Sequence, residues 1–208
     1  MTYKSKIEKH KSSTQDIVIA LKDEYLWLDL LGQKDPPIFR LIAVIRRLGS
    51  QNEQMESESW TIKSIAGEVN ETPAKVTKWL RQLYDDIWQL NEDHPEAFPS
   101  DGHMYTFYFR DTDEENYQSF NLRTQATFSV GDSFEWDFLR GKFRTYTFYV
   151  ESITHVLRFG CVKTTVYFKS GFYNSYRRTL IDKGEFLRLI SWRELHDLFD
   201  FQIDDLLR

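Results

Sequence analysis

Residues 61–81, TIKSIAGEVNETPAKVTKWLR, decide how this chain is read. Ala66 and Val76 stand ten positions apart with Asn70 between them, the spacing at which two short helices cross on a small-residue contact and turn tightly. Asn tolerates the left-handed backbone that such a turn requires. Thr72 then supplies a side-chain acceptor for free amide groups, and Pro73 a φ already set for a helix, so a second helix is predicted to start there.

Upstream, Pro36-Pro37 opens a helix over IFRLIAVIRRLG, with Ile38, Leu41, Ile42, Ile45 and Leu48 on one stripe and Gly49 as its stop. Downstream, Val76, Leu80, Leu83 and Ile87 follow three- and four-residue steps and must face a core, which turns Lys75, Lys78 and Gln82 outward. This helix is placed over 72–86. IWQL then reads as a strand, NEDHPEAFPSDGH as a loop and MYTFYFR as the returning strand of a hairpin.

Three helices followed by a hairpin, over about residues 36–110, resemble the winged helix-turn-helix superfamily. The resemblance rests on the spacing of Ala66, Asn70, Val76 and Leu80 plus the hairpin. It implies DNA as the partner, with helix 72–86 lying in a groove. Lys75 and Lys78 would then meet phosphates, Gln82 an adenine edge, and Thr77 and Arg81 would flank them. The competing expectation is an ordinary solvated face, because winged helices also serve as protein-protein modules. The hairpin loop carries Glu92, Asp93, Glu96 and Asp101 and no Lys or Arg. Phosphates repel it within about 8 Å at physiological salt, so the wing is expected to lean away from DNA.

Residues 1–35 read as an N-terminal extension: MTYKSKIEKHKSSTQ is basic and polar, and DIVIALKDEYLWLDLLG suits a strand entering a helix without periodicity settling it. The acidic, apolar-poor DTDEENYQS (111–119) marks a boundary. Beyond it, over 120–208, come FNLRTQATFSV, SFEWDFL, RTYTFYVESITHVLRF, KTTVYFK and YNSYRRTL, separated by Gly131-Asp132, Gly141-Lys142, Gly160-Cys161 and Ser170-Gly171. These predict an antiparallel sheet or small barrel. A final helix over SWRELHDLFDFQIDDLLR opens with the capping-box pair Ser191 and Glu194. The fold class is therefore α+β: a winged helix-turn-helix domain, then a β-rich domain with a C-terminal helix. That helix packs on its own sheet, or offers residues 191–208 to a protein partner or a second copy.

The net charge is −5 over 208 residues, which argues against coating nucleic acid by bulk electrostatics. Charge is uneven, however. Arg140 to Arg188 holds ten Lys or Arg against three acids, a local balance of +7, and leaves −12 for the rest. Aromatic side chains interleave this basic segment, and sheet modules hold single strands with such platforms. The plainer expectation is that alternate aromatics fill an interior and the cations solvate the outside. Tyr173, Tyr176, Arg177 and Arg178 mark the spot where a second nucleic-acid or partner surface is most expected.

Catalytic signals are thin. Glu135 and Asp137 alternate within SFEWDF, the arrangement of a metal-dependent nuclease, but no nearby Lys or His completes it. Tyr84-Asp85-Asp86 lies at a helix end and is read as solvated. The histidines at 10, 94, 103, 155 and 196 form no metal motif, and phosphate-binding, dinucleotide and serine-hydrolase motifs are missing, so no catalytic residue, metal or cofactor is expected. One cysteine, Cys161, excludes an internal disulfide and fits a reducing compartment, the cytoplasm. No apolar stretch reaches the roughly 20 residues that span a bilayer, so no membrane partner is expected. The expectation is a non-enzymatic DNA-binding protein, a transcriptional regulator or a replication or regulatory factor of a mobile element. The alternative is an assembly module without nucleic acid.

Overall fold

The computed structural model describes residues 12–32, 35–50, 60–111, 117–197 and 200–207. Residues 1–11 of the polar start, the linker at 51–59, most of the expected boundary (112–116), and Leu198 and Phe199 of the expected terminal helix lie outside the described residues. The chain divides into two units, Met1–Gly171 and Phe172–Arg208.

Ser13 opens helix α1 (Thr14–Asp23) reciprocally: its hydroxyl accepts from the Asp16 amide, and the Asp16 carboxylate accepts from the Ser13 amide, each at 3.1 Å. A 3₁₀ segment (Tyr25–Leu31) follows and ends on left-handed Gly32. Together they bury Ile17, Val18, Ala20, Leu21, Trp27 and Leu28, so the stretch expected to be an extension is core. Helix α2 (Pro36–Ser50) buries Ile38, Leu41, Ile42 and Ile45, the expected stripe. Gly49 lies inside it instead of stopping it. A Cβ there would fall 2.3 Å from the Lys22 carbonyl and 2.5 Å from the Tyr25 ring, so close approach of the backbone selects glycine.

Helices α3 (Ile62–Val69) and α4 (Pro73–Asp93) follow. Here the hairpin expectation fails, because IWQL is the fifth turn of α4 and not a strand. The stripe of Val76, Leu80, Leu83 and Ile87 continues through Trp88 and Asn91, all buried. Trp88 packs edge-on against Phe120 at 5.1 Å, and Asn91 makes two hydrogen bonds of 2.7 Å with the backbone of Asn121. Tertiary packing holds these residues helical against their strand preference.

Strand β1 (His103–Arg110) pairs antiparallel with β2 (Tyr117–Thr124) and parallel with β5 (Cys161–Ser170). Strand β5 pairs antiparallel with β4 (Thr147–Arg158), and β4 with the short β3 (Ser133–Glu135). The order is β2-β1-β5-β4-β3, a curled open sheet, so the class is α+β while the sheet is mixed, neither wholly antiparallel nor a closed barrel. Residues 117–119 of the expected boundary already belong to β2, which pairs with β1, and the two units part after Gly171.

Aromatic rings join helices and sheet into one core. Trp27 stacks on Phe120 at 5.2 Å and meets Phe98, Trp136 and Phe138 edge-on, and Phe109 stacks on Phe168 at 4.9 Å. Of the aromatics interleaved in the basic segment, Phe143, Phe148 and Phe168 go into this core.

The second unit holds α5 (Ser175–Phe186), α6 (Trp192–Asp197) and α7 (Asp200–Leu206) around Ile181, Ile190 and Ile203. YNSYRRTL is thus helical, not a strand. The capping box is present, with Ser191 Oγ accepting from the Glu194 amide at 3.3 Å and Glu194 accepting from the Ser191 amide at 2.7 Å. The expected single terminal helix is described as two short ones.

Candidate nucleic-acid interface

The turn between α3 and α4 is built by local chemistry. Thr61 and Ser64 cap α3 reciprocally, at 3.1 and 2.9 Å. Asn70 takes φ 60 and ψ 48, as expected of it, and the Glu71 amide donates to the Ala66 carbonyl at 2.9 Å, which closes the helix end. Thr72 caps α4 by accepting from the Lys75 amide, and Pro73 takes the first helical position. Ala66 and Val76 are buried where the two helices meet.

That turn fixes the roll of α4. Val76, Trp79, Leu80 and Leu83 face inward, and Lys75, Lys78 and Gln82 are exposed. Thr77 is half-buried beside them. Arg81 turns away: its guanidinium donates to the Ser12 carbonyl at 2.8 Å, so it ties the segment before α1 to α4 and is not on the outward stripe. Lys75 reaches Glu71 at 3.1 Å and lies 4.8 Å from the centre of the Trp79 ring, exposed despite both contacts. Lys63 on α3 is exposed as well.

Charge along α4 is polarised. Its first ten residues carry Lys75, Lys78 and Arg81 and no acid; its last eleven carry Asp85, Asp86, Glu92 and Asp93 and no base. Asp85 is met by Lys142 at 2.6 Å, and burial, with Asp85 beside it, holds Asp86 above the ordinary carboxylate range. Tyr84, read from sequence as part of a solvated helix end, is 2% exposed and donates to the Phe138 carbonyl at 2.6 Å. Burial pushes its hydroxyl well above the usual tyrosine range. The acid-rich half is thus the anchor, and the cationic half is the part on offer.

The second expected surface falls in the other unit. Asn174 caps α5 by accepting from the Arg177 amide at 3.0 Å, which puts Tyr173, Tyr176, Arg177 and Arg178 on and beside one helical turn. Tyr176 is 71% exposed, Tyr173 and Arg177 are half-buried, and Arg178 pairs with Asp182 at 3.1 Å.

Glu135 and Asp137 do not share a strand face. Strand β3 ends at Glu135, and Asp137 starts a 3₁₀ turn (Asp137–Gly141) where it pairs with Arg140. Burial, with the Asp137 charge nearby, holds the Asp23 carboxyl above its ordinary range. Among the described residues no three His, Cys, Asp or Glu side chains gather as a metal site would require, and no helix is long and apolar enough to cross a membrane.

One exposed feature had no clear signal in the sequence. The β4–β5 ribbon ends in a two-residue turn, Phe159-Gly160, with φ 51 and 76, and presents Leu157, Phe159 and Val162 to solvent beside Arg158 and Lys163. Phe159 is fully exposed on a left-handed backbone, unfavourable on both counts.

Comparison with known proteins adds nothing to this geometry: no family model, no curated protein and no solved structure matches the chain.

Proposed function

We propose that this is a non-enzymatic, cytoplasmic DNA-binding protein that lays the N-terminal half of α4 against a duplex. The observation that carries the reading is the outward stripe of Lys75, Lys78 and Gln82 on a helix whose acids are confined to its far half. Two point cations suit phosphate oxygens, and Gln82, one turn beyond Lys78, is placed to meet a base edge. Thr77 is at their margin, while Arg81 serves to brace the helix. Without the expected wing, α3 and α4 alone make the contact, and Lys63 adds a third cation. A role in regulating transcription, or in the replication or regulation of a mobile element, fits a module of this kind.

The test is a gel-shift titration with random duplex and single-stranded pools, on the wild type and on the Lys75→Glu, Lys78→Glu double variant. A wild-type shift of duplex that the variant loses supports the reading. Equal behaviour of both proteins removes it.

A second reading, an assembly module without nucleic acid, is favoured by the ribbon tip. An exposed Phe159 in a strained backbone is what a residue reserved for a partner's pocket looks like. Light scattering of the wild type and of Phe159→Asp checks it: a multimer that the variant dissolves supports assembly, and a monomer in both speaks against self-association.

A further inference from the structure

A cleft of about 370 Å³ opens on the first unit, and the DNA reading makes no use of it. Its walls include Phe107 of β1, Phe128, Phe134 of β3 and Trp136, together with the half-buried carboxyl of Glu24, just past α1. Among the described residues no Lys, Arg or His lines it. The rings adjoin nearly at right angles: Phe107 and Phe128 lie 5.3 Å apart at 79°, and Phe134 and Trp136 lie 6.2 Å apart at 79°. Glu24 is half-buried, with one carboxylate oxygen accepting from the Trp136 indole N–H at 2.7 Å. Burial raises its pKa to about 7, against the lowering effect of the Trp136 hydrogen bond.

Apolar clefts attract many molecules, but this one is selective in sign. An anion would meet the Glu24 carboxyl and, among the described lining residues, no cation. A neutral hydrocarbon would leave Glu24 with its charge uncompensated. An organic cation satisfies both features, because its alkyl or aryl surface is covered by the rings and its charge is met by the Glu24 carboxyl. The volume is at the low end of the roughly 300–1,000 Å³ of small-molecule sites, so the occupant is small.

We propose that this cleft binds a small organic cation, an alkyl- or aryl-substituted ammonium, held by Phe128, Phe134 and Trp136 with its charge directed at Glu24. The inference stands apart from DNA binding and is tested without it.

The experiment is calorimetric titration of the full chain at pH 8 with phenyltrimethylammonium, and with its neutral isostere tert-butylbenzene as control. The expected result is saturable one-to-one binding of the cation, about tenfold tighter than the isostere, since one cation–π contact of ~1–2 kcal/mol corresponds to about that factor. Glu24→Gln keeps the side-chain shape and the acceptor for Trp136, and is expected to weaken the cation about tenfold and leave the isostere unchanged. Phe134→Leu is expected to weaken it severalfold. Equal affinity for the two compounds, no binding of the cation, or a Glu24→Gln variant that binds it as the wild type does would overturn the proposal.

Discussion

Replacing Glu24 by Gln should make the protein more stable, and only at the alkaline end. Burial lifts the Glu24 carboxyl from an ordinary 4.5 to about 7; the Trp136 hydrogen bond opposes this, and the nearby Asp23 charge adds to it. A carboxyl with a higher pKa in the folded state than in the unfolded chain holds its proton more tightly when folded. Its contribution to stability is therefore full below about pH 4.5 and is lost as the pH climbs through about 7. At ~1.36 kcal/mol per pH unit the gap amounts to about 3 kcal/mol. Residual hydration of a half-buried group reduces this, so about 1–3 kcal/mol is the working range. Gln carries no charge to desolvate, and its amide oxygen can still accept from Trp136. Urea unfolding followed by circular dichroism from pH 4 to pH 8 measures the difference, since other titrating groups cancel between the two proteins. The variant should equal the wild type near pH 4 and exceed it by about 1–3 kcal/mol at pH 8. A difference that does not change with pH, or a wild type that is the more stable at pH 8, refutes the reasoning.

Other substitutions probe the frame that presents α4. In Gly141→Ala the new Cβ would fall 2.2 Å from the buried Tyr84 ring, so a loss of about 1–3 kcal/mol in thermal unfolding is expected, and an unchanged melting temperature would mean that this contact is absent. Asn70→Ala should lose about 1 kcal/mol, because a Cβ resists the left-handed turn without the local hydrogen bonding of Asn, while Asn70→Gly should lose less; the reverse order in denaturant titration would contradict the turn geometry. Glu71→Gln frees Lys75 and removes a charge that phosphates repel, so DNA affinity at low salt should rise about two- to fivefold and the gain should shrink as salt is added. Equal affinities in fluorescence anisotropy would place Lys75 away from the DNA.

Legibility in the sequence follows the range of the forces. The α3–α4 turn was readable because its causes lie within a few residues: Asn70 bends, Thr72 caps and Pro73 starts. The α2 stripe was readable for the same reason. IWQL was misread because its strand preference is local, whereas the helix is held by Phe120 and Asn121, some 30 positions away. The parallel pairing of Tyr105 with Thr164 has no local signature, and it joins segments that composition alone had separated. Ile17, Leu21 and Trp27 were set aside as an extension because their periodicity is ambiguous, and only tertiary contact makes them core. The charged stripe of α4 was visible, but not the loss of Arg81 to the Ser12 carbonyl. The cleft escaped notice because Glu24, Phe107, Phe128 and Trp136 come from separate segments and form no motif.

The proposed contact of Lys63, Lys75 and Lys78 on α3 and α4 with a polyanion is read out by the salt dependence of binding. Each phosphate contact adds about −0.9 to the slope of log affinity against log salt, so three cations predict a slope of about −2.7 on a labelled duplex. Lys75→Ala with Lys78→Ala should bring it to about −0.9 and leave the melting temperature unchanged. A wild type whose affinity does not respond to salt, or a double variant that keeps the full slope, would contradict the account.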